Sequence, residues 1–348
     1  MANGRYRLVY IAPERLRNSS FRNALRKINV SLLAVDEAHC ISQWGHDFRP
    51  EYRRIVNLVR LLPREVPVVA VTATATPRVE QDVRTQIGEP FHVLRGRLMR
   101  PNLRLQAIRV ENEAHKLAWL AHLLRILPGS GLIYTATRHS SEIVAQFLQT
   151  HGLNVRYYHA GLGEERPDLE RQLLNNEIKA LAATNALGMG LDKPDIRFVI
   201  HYETPASPLH YYQEIGRAGR DGLESHCILL AHPDDIETQR ALIESNRPPR
   251  AHYLHIYSLL QRQPMREREL MLETGYAQTT TRTILYDLQD QGLIVRDTER
   301  YYRAVSNRPV DLASYDELFQ AKLAELQSLV DYWDFAECRM RFLFRFLG

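Results

Sequence analysis

The stretch LLAVDEAHCISQWGHDF, Leu32 to Phe48, sets four apolar residues before an acidic pair, and a loop dense in His, Trp and Phe follows. Apolar residues that run into carboxylates read as a buried parallel strand. Such a strand delivers acid to the C-terminal edge of a sheet, where open α/β sheets keep their ligands. In nucleotide-driven motors a strand-end Asp holds Mg2+ on the phosphates, and the adjacent acid orients or deprotonates the attacking water. Asp36 and Glu37 are the candidates for those two parts, with His39 beside them. Paired carboxylates also occur at helix N-caps and in exposed loops; the apolar strand before the pair and Ala38–His39 after it favour the catalytic reading.

Working outward, strand-like runs alternate with amphipathic stretches up to about residue 230. The first series is YRLVYI (Tyr6–Ile11), SLLAVD (Ser31–Asp36) and PVVAVTA (Pro67–Ala73), with a helical pattern around Pro50–Leu62. RPNL, Arg100–Leu103, reads as an interdomain joint. The second series is LQAIRV, GLIYTA, NVRYYHA, ALAATN, RFVIHY and HCILLA, with helical stretches such as Ala114–Leu127 and Ser140–His151 between its strands. This alternation predicts a parallel sheet covered on both faces. The second series looks complete and the first looks cut short.

Past Pro248–Pro249 the texture changes. HYLHIYSLLQRQ, MRERELMLETGY and TTTRTILYDLQDQGL read as three helices, with Gly292 placed to end the third, and IVRDTERYYRAV reads as a small hairpin. Three helices and a hairpin suggest a winged helix with Thr279–Leu288 as candidate recognition helix. Modules of this size also serve as spacers or protein docks. A final helix is expected from about Tyr315 to Phe346.

The totals exclude some classes. At 348 residues, two or three domains are expected. The net charge of +4 is compatible with a polyanion but does not single one out. Cys40, Cys227 and Cys338 lie far apart and make neither a disulfide framework nor a complete metal site, which favours a reducing, cytoplasmic setting, nucleoid-associated in a bacterium. No apolar run reaches the roughly 18 residues of a membrane span, so no membrane partner is expected.

HYYQEIGRAGRDG, His210 to Gly222, is the sharpest further signal. Gln213, Arg217 and Arg220 fall within about two helical turns, and arginines three apart on a helix share a face, so both guanidiniums could reach one polyphosphate. A solvated basic helix would not explain the glycines at 216, 219 and 222. In ATNALGMGLDKPDIRFVIHY, Ala183 to Tyr202, Thr184, Gly188 and Gly190 end a strand and allow close backbone approach, and Asp192 is placed to bridge toward the nucleotide. YTATRHSSE (Tyr134–Glu142) and YHAGL (Tyr158–Leu162) end strands with small polar residues suited to a nucleic-acid backbone. Thr135, Arg138, His159 and Thr184 are the candidate contacts. TATAT, Thr72–Thr76, should lie at the same sheet edge as the acids and could link the nucleotide site to the other domain. In the aromatic loop, Trp44 and Phe48 could stack on unpaired bases at roughly 1–3 kcal/mol each. His46 and Arg49 flank them, and Asp47 and Arg49 could relay the contact to Glu37.

These residues resemble the RecQ DNA helicases of helicase superfamily 2. The matching stretches are LVYIAPERL, VDEAHCISQWGHDFRPEY, TATAT, RPNL, YHAGL, GMGLDKPDIRFVIH and YYQEIGRAGRDG, in family order from Leu8 to about Asp235. DEAH alone would not separate DNA from RNA helicases; the aromatic-rich loop marks RecQ proteins. The resemblance implies an α/β fold of two RecA-like parallel-sheet lobes, the first incomplete here; the mainly helical, winged-helix-like region expected after them rests on the pattern past Pro248–Pro249. It implies an ATP-driven 3′-to-5′ DNA helicase of repair and recombination, acting on single-stranded and 3′-tailed or forked duplex DNA. Asp36 would be the Mg2+-associated acid, through water, and Glu37 the catalytic one. Gln213, Arg217 and Arg220 would be the second lobe's contribution, with Gly190 and Asp192 near the nucleotide, and Trp44, His46, Phe48 and Arg49 would couple DNA to hydrolysis. The expected domains are 1–100, 101–247, 248–310 and 311–348: two lobes, the winged-helix-like module and the first helix of a zinc-binding subdomain.

The sequence departs from the family in three places. No glycine in the chain is followed by lysine, so the Gly-rich loop that cradles ATP phosphates is not in this sequence, nor are the upstream aromatic and glutamine that grip adenine. The chain is expected to begin partway through the first lobe. LVDYWDFAECRMRFLFRFLG resembles the start of the zinc-binding subdomain, with Cys338 as its first ligand, so a zinc site is expected only in a longer chain. The winged-helix-like sequence before it exceeds the family's usual spacing. Two alternatives remain open: a catalytically silent DNA-binding module derived from a helicase, and a DEAH-type RNA helicase, against which the aromatic loop argues.

Overall fold

The computed structural model describes residues 6–25, 27–42, 52–63, 65–88, 91–96, 98–187, 191–245 and 248–347. The chain divides into two compact units, Met1–Ile236 with Glu325–Gly348, and Glu237–Ala324.

In the first unit, α1 (Ser19–Leu25) precedes two short parallel strands, β1 (Leu33–Val35) and β2 (Val68–Ala70), with α2 (Arg53–Leu61) between them and α3 (Pro77–Ile87) after. Val35, Ala38, Ile41, Val56, Val79 and Val83 form their common core. Tyr6–Ile11, expected as a strand, is not one. A strand exists only as part of a hydrogen-bonded ladder, and no described residue pairs with this segment; Tyr6, Leu8, Val9 and Tyr10 are exposed.

The rest of this unit is built on six parallel strands: β3 (Leu103–Arg109), β4 (Ser130–Tyr134), β5 (Val155–Tyr158), β6 (Ala180–Ala183), β7 (Ile196–His201) and β8 (Ser225–Ala231). Their spatial order is β3-β8-β7-β4-β6-β5. All six expected strands are present; the inner strands are apolar runs, every residue of β4 and β6 being buried, while the edge strands β3 and β5 carry arginines and leave residues exposed. The connecting helices are α4 (Glu113–Ile126), α5 (Arg138–Thr150), α6 (Arg166–Leu174) and α7 (Pro208–Ile215); α8 (Pro233–Ser245) follows β8, and all of it past Ile236 belongs to the second unit. Side chains alternate along β7: Phe198 and Ile200 pack with Leu120, Leu124, Val144 and Leu148 of α4 and α5, while Val199 faces the layer that contains Leu173, Tyr211 and Ile215. Asn112, Thr137 and Ser207 cap α4, α5 and α7 through their side-chain oxygens. Beneath the sheet edge, the buried Lys116 ammonium donates to Asp235 at 2.6 Å, and Thr204 supplies two more donors to that carboxylate.

The second unit contains α9 (Arg250–Arg262), β9 (Met265–Arg266), α10 (Glu267–Thr274), α11 (Gln278–Asp290), β10 (Ile294–Arg296) and β11 (Tyr301–Ala304). The strands form an antiparallel sheet in the order β10-β11-β9. Tyr253, Ile256, Leu270, Ile284, Leu288 and Tyr302 fill its core, and Tyr253 donates to the buried Asp287 carboxylate at 2.5 Å. Gly292, φ +65°, follows α11 in the left-handed conformation expected of a residue that ends a helix.

The final helix is two helices, α12 (Ala313–Trp333) and α13 (Arg339–Leu347). No Gly or Pro marks the break. Arg339 donates to the Tyr332 and Trp333 carbonyls at the end of α12, and Asp334 turns away to the Arg109 guanidinium. Leu329, Tyr332, Met340 and Leu343 then close the lower face of the six-stranded sheet. Among the described residues, no helix is long and apolar enough to cross a membrane.

Candidate nucleotide and nucleic-acid site

β1 ends at Val35 and presents Asp36, which is exposed and accepts the Glu37 N–H at 2.9 Å. Glu37 lies in the left-handed region, φ +49°, where a side chain is strained by about 1–2 kcal/mol. That kink swings the next turn, Ala38–Ile41, under β2, where the Ala38 N–H meets the Val71 carbonyl at 2.9 Å.

The buried His39 imidazole has partners on both nitrogens. Nδ1 lies 2.9 Å from Thr72 Oγ1 and 3.3 Å from a Glu37 carboxylate oxygen, and Nε2 lies 3.6 Å from Cys40 Sγ. Thr72 gives its own proton to the Thr74 carbonyl at 3.0 Å, so its oxygen accepts from His39. We therefore assign the proton to Nδ1, shared toward Glu37, with the Cys40 thiol donating to Nε2. From Thr74 the path continues, because Gln213 Nε2 donates to Thr74 Oγ1 at 2.9 Å. The TATAT segment and the Gln213 helix are thus joined directly.

Arg217 and Arg220 do not share a helix face. α7 ends at Ile215, and both arginines lie in the turns that follow. Gly216 follows α7 with helical angles, and in the turns beyond it Gly219 has φ +55°, where a Cβ would stand 2.5 Å from Asn102 Nδ2 and 2.7 Å from the Leu223 carbonyl. Arg220 pairs with Asp192 at 2.7 Å, both side chains well exposed, so Asp192 bridges to an arginine. Arg217 Nε is buried with no hydrogen-bond acceptor. It lies beside Tyr134, whose hydroxyl is pushed well above its ordinary pKa by burial, against the pull of Arg217.

Sequence reasoning missed what holds this loop. Arg100 donates to the carbonyls of Gly216 (3.4 Å), Ala218 (2.9 Å) and Gly219 (2.7 Å), and Asn102 to those of Gly219 (2.8 Å) and Leu223 (3.0 Å). RPNL is therefore more than a joint. Its polar side chains were the available signal.

The nucleic-acid candidates of the second sheet gather at one edge. Thr135, His159 and Thr184 follow β4, β5 and β6, which are neighbours, so parallel pairing brings their C-terminal ends level. The Thr135 N–H donates to the Ala183 carbonyl at 2.9 Å and the Thr184 N–H to the Tyr158 carbonyl at 3.2 Å. His159 accepts the Gly161 N–H on Nδ1 at 3.1 Å and directs Nε2 to Glu142 at 3.0 Å, while Arg138 Nη1 stands 3.5 Å from where a Gly161 Cβ would sit. Glu203, also missed, braces this edge by accepting from the Ala136 N–H at 2.6 Å and the Ser140 hydroxyl at 2.9 Å. Burial pushes its carboxyl above the usual range. An acid just past a buried strand, the pattern that drew notice to Asp36, could have flagged it. Trp44, His46, Phe48, Arg49 and Gly190 lie outside the described residues. Among the described residues no cluster of His, Cys, Asp or Glu has the makings of a metal site, and Cys338 is an exposed free thiol.

Strand-end acids on one sheet, arginines on a turn beside a second, and a hydrogen-bonded path between them define the helicase class of nucleotide-driven motors. Comparison with known proteins agrees. Residues 1–83 match the DEAD/DEAH box helicase family and residues 115–222 the helicase conserved C-terminal domain. A solved structure of Mycobacterium smegmatis helicase Lhr, bound to ssDNA and AMP-PNP, shares the fold with a TM-score of 0.53 over 89% of this chain and 45% of that one, at 17% identity. The ATP-dependent DNA helicase RecQ of Bacillus subtilis is 42% identical over 71% of this chain and 42% of its own length. The probable ATP-dependent DNA helicase RecS of the same organism is 36% identical over 81% of this chain and 58% of its own. This chain belongs to the RecQ family of ATP-dependent DNA helicases. It spans roughly half the length of these two relatives.

Proposed function

We propose that this chain is the nucleotide-hydrolysing and DNA-translocating part of a 3′-to-5′ DNA helicase. The observation that carries the reading is the continuous path from Glu37 through His39, Thr72 and Thr74 to Gln213. A group that senses water attack on one sheet is thereby tied to the segment that carries Arg217.

In this reading ATP is the substrate and Mg2+ its companion. The exposed Asp36 carboxylate suits an ion held through water, and the buried, acceptor-less Nε of Arg217 suits a phosphate oxygen. Glu37 accepts the proton of the attacking water, with its carboxylate held by His39. Arg217 stabilises the charge that develops on the transferred phosphoryl group, a part worth roughly 10³–10⁵ in rate where it has been measured. Arg220, already paired with Asp192, must leave that partner to help, so Arg217 is the primary finger.

Thr135, Arg138, His159 and Thr184 line the strand edge along which a single strand of DNA would run, held through its phosphates. The aromatic loop of Trp44, His46, Phe48 and Arg49 reports that strand to Glu37. The domain division follows: lobes at 1–100 and 101–247, a winged helix at 248–310 supported by the order of α9 to β11, and at 311–348 the first helices of a zinc-binding subdomain. Zinc would need ligands besides Cys338.

Unwinding tests the substrate. A protein that carries this chain together with a Gly-rich phosphate loop should separate a 3′-tailed DNA duplex in the presence of ATP and leave a 5′-tailed one paired. Separation of RNA duplexes but not 3′-tailed DNA would overturn the reading.

A further inference from the structure

The acid nearest to Arg217 in the sequence does not neutralise it. Glu214 stands one helical turn before it, and the Arg217 N–H donates to the Glu214 carbonyl at 3.3 Å. The Glu214 carboxylate is turned instead to His201, whose Nε2 lies 2.8 Å away. An ionised carboxylate only accepts, so we assign the proton of that bond to Nε2. Arg217 joins no ion pair among the described residues, and its Nε is buried without an acceptor. Arg220, by contrast, is already paired with Asp192.

The imidazole that holds Glu214 is itself held. His201 ends β7 and stands opposite Tyr134, the last residue of β4, in the parallel ladder. Its buried ring is stacked on Tyr134 with 5.3 Å between centres and tilted against Tyr211 at 4.7 Å. Tyr211 lies one turn before Glu214 on α7, and the Tyr332 hydroxyl donates to its hydroxyl at 3.2 Å. The Tyr134 hydroxyl shows how close the two charges are. Burial pushes its pKa up, Arg217 opposes that and Glu214 adds to it, so acid and guanidinium stand beside one buried group.

We propose that His201 is a positioning residue for hydrolysis: it holds the Glu214 carboxylate off Arg217 and so keeps that guanidinium unpaired for the transferred phosphoryl group. The proposal rests on the reading of Arg217 as the finger. A released carboxylate beside an unpaired guanidinium would form a charge-assisted hydrogen bond with it, and such bonds are the strong ones. Arg217 would then have to give up a partner before it met the developing charge, as Arg220 must, and donors already in place are what lower the barrier.

The test is a double-mutant cycle in steady-state ATP hydrolysis with single-stranded DNA, in a protein that carries this chain together with a Gly-rich phosphate loop. His201→Phe keeps a ring against Tyr134 and Tyr211 but cannot donate. It should lower kcat about tenfold or more, with KM for ATP changed less than about twofold. In the Glu214→Gln background the same change should cost less than about twofold, because the charge that would capture Arg217 is gone. His201→Gln, whose amide N–H can replace the Nε2 donor, should keep most of kcat. Circular dichroism and urea midpoints show that each variant is folded. Should His201→Phe not fold, His201→Leu with and without Glu214→Gln reads the same cycle.

An equal loss of kcat in both backgrounds would mean that His201 only shapes the core, and would overturn the proposal. Arg217→Ala separates the two readings. If that variant turned over as fast as its parent, Arg217 would not be the finger, and the proposal would fall with that reading. A large loss in Arg217→Ala beside full turnover in a folded His201→Phe would sink the proposal alone.

Discussion

Gln213 Nε2 donates to Thr74 Oγ1 at 2.9 Å across 139 residues of sequence. Thr74 is buried and its segment carries the partner of His39, so displacement of Gln213 pulls on the residue that holds Glu37.

Gln213→Ala should therefore weaken the coupling of hydrolysis to DNA more than it weakens either alone. A neutral hydrogen bond of this kind contributes about 1 kcal/mol, roughly a fivefold effect. In a phosphate-loop-containing form of the protein, DNA-stimulated ATP turnover should fall by about that factor or more. Thr74→Val should do the same, and the double change should add little, because both remove one hydrogen bond. Additive losses in the double-mutant cycle would show that the two side chains act independently.

The grip of Arg100 on three carbonyls predicts a stability effect. Hydrogen bonds from charged groups contribute about 1.5–3 kcal/mol each when partly buried, and these three share one guanidinium, so Arg100→Ala should cost about 2–3 kcal/mol in urea unfolding. Gly219→Ala should cost about 1–3 kcal/mol, since it adds a Cβ to a left-handed backbone already in contact with Asn102. Arg100→Lys should recover only part of the loss, because an ammonium cannot span the three acceptors. Full recovery by lysine would show that charge alone matters there.

Glu203 gives a pH signature. Burial raises its carboxyl above the unfolded value, so in the window between the ordinary carboxylate range and the raised value the native state binds a proton that the unfolded chain does not. Its contribution to stability therefore increases as pH falls through that window and levels off below the unfolded value. Comparison with Glu203→Gln isolates the effect. As pH is lowered toward the ordinary carboxylate range from above it, the parent's urea midpoint should gain on the variant's. Parallel midpoints across the range would mean that folding leaves this carboxyl unchanged.

Much of the fold is legible in the order of the residues. The strands from β3 to β8 announce themselves through apolar runs in the inner strands and alternation with helical stretches, and β1 is found by the acids at its end. What is not legible depends on partners far away in sequence. Tyr6–Ile11 is a mostly apolar run like a strand, but a ladder neighbour decides whether it is one. The break between Trp333 and Arg339 carries no Gly or Pro; the side chains of Arg109 and Arg339 make it. Helical periodicity places Arg217 and Arg220 on one face, whereas the helix ends at Ile215 and both arginines lie in the turns that follow. The candidate site residues stand out as sequence signals, but the contacts that organise them, Gln213 with Thr74 and Arg100 with the arginine loop, are tertiary and have no local pattern.

The most direct measurement is steady-state ATP hydrolysis, with and without single-stranded DNA, by this chain joined to an upstream Gly-rich phosphate loop, beside its Arg217→Ala variant. The account predicts turnover stimulated by DNA, and a loss of about 10³-fold or more in the variant while DNA binding stays intact. A folded, DNA-binding protein that does not hydrolyse ATP, or an Arg217→Ala variant that turns over as fast as its parent, would contradict it.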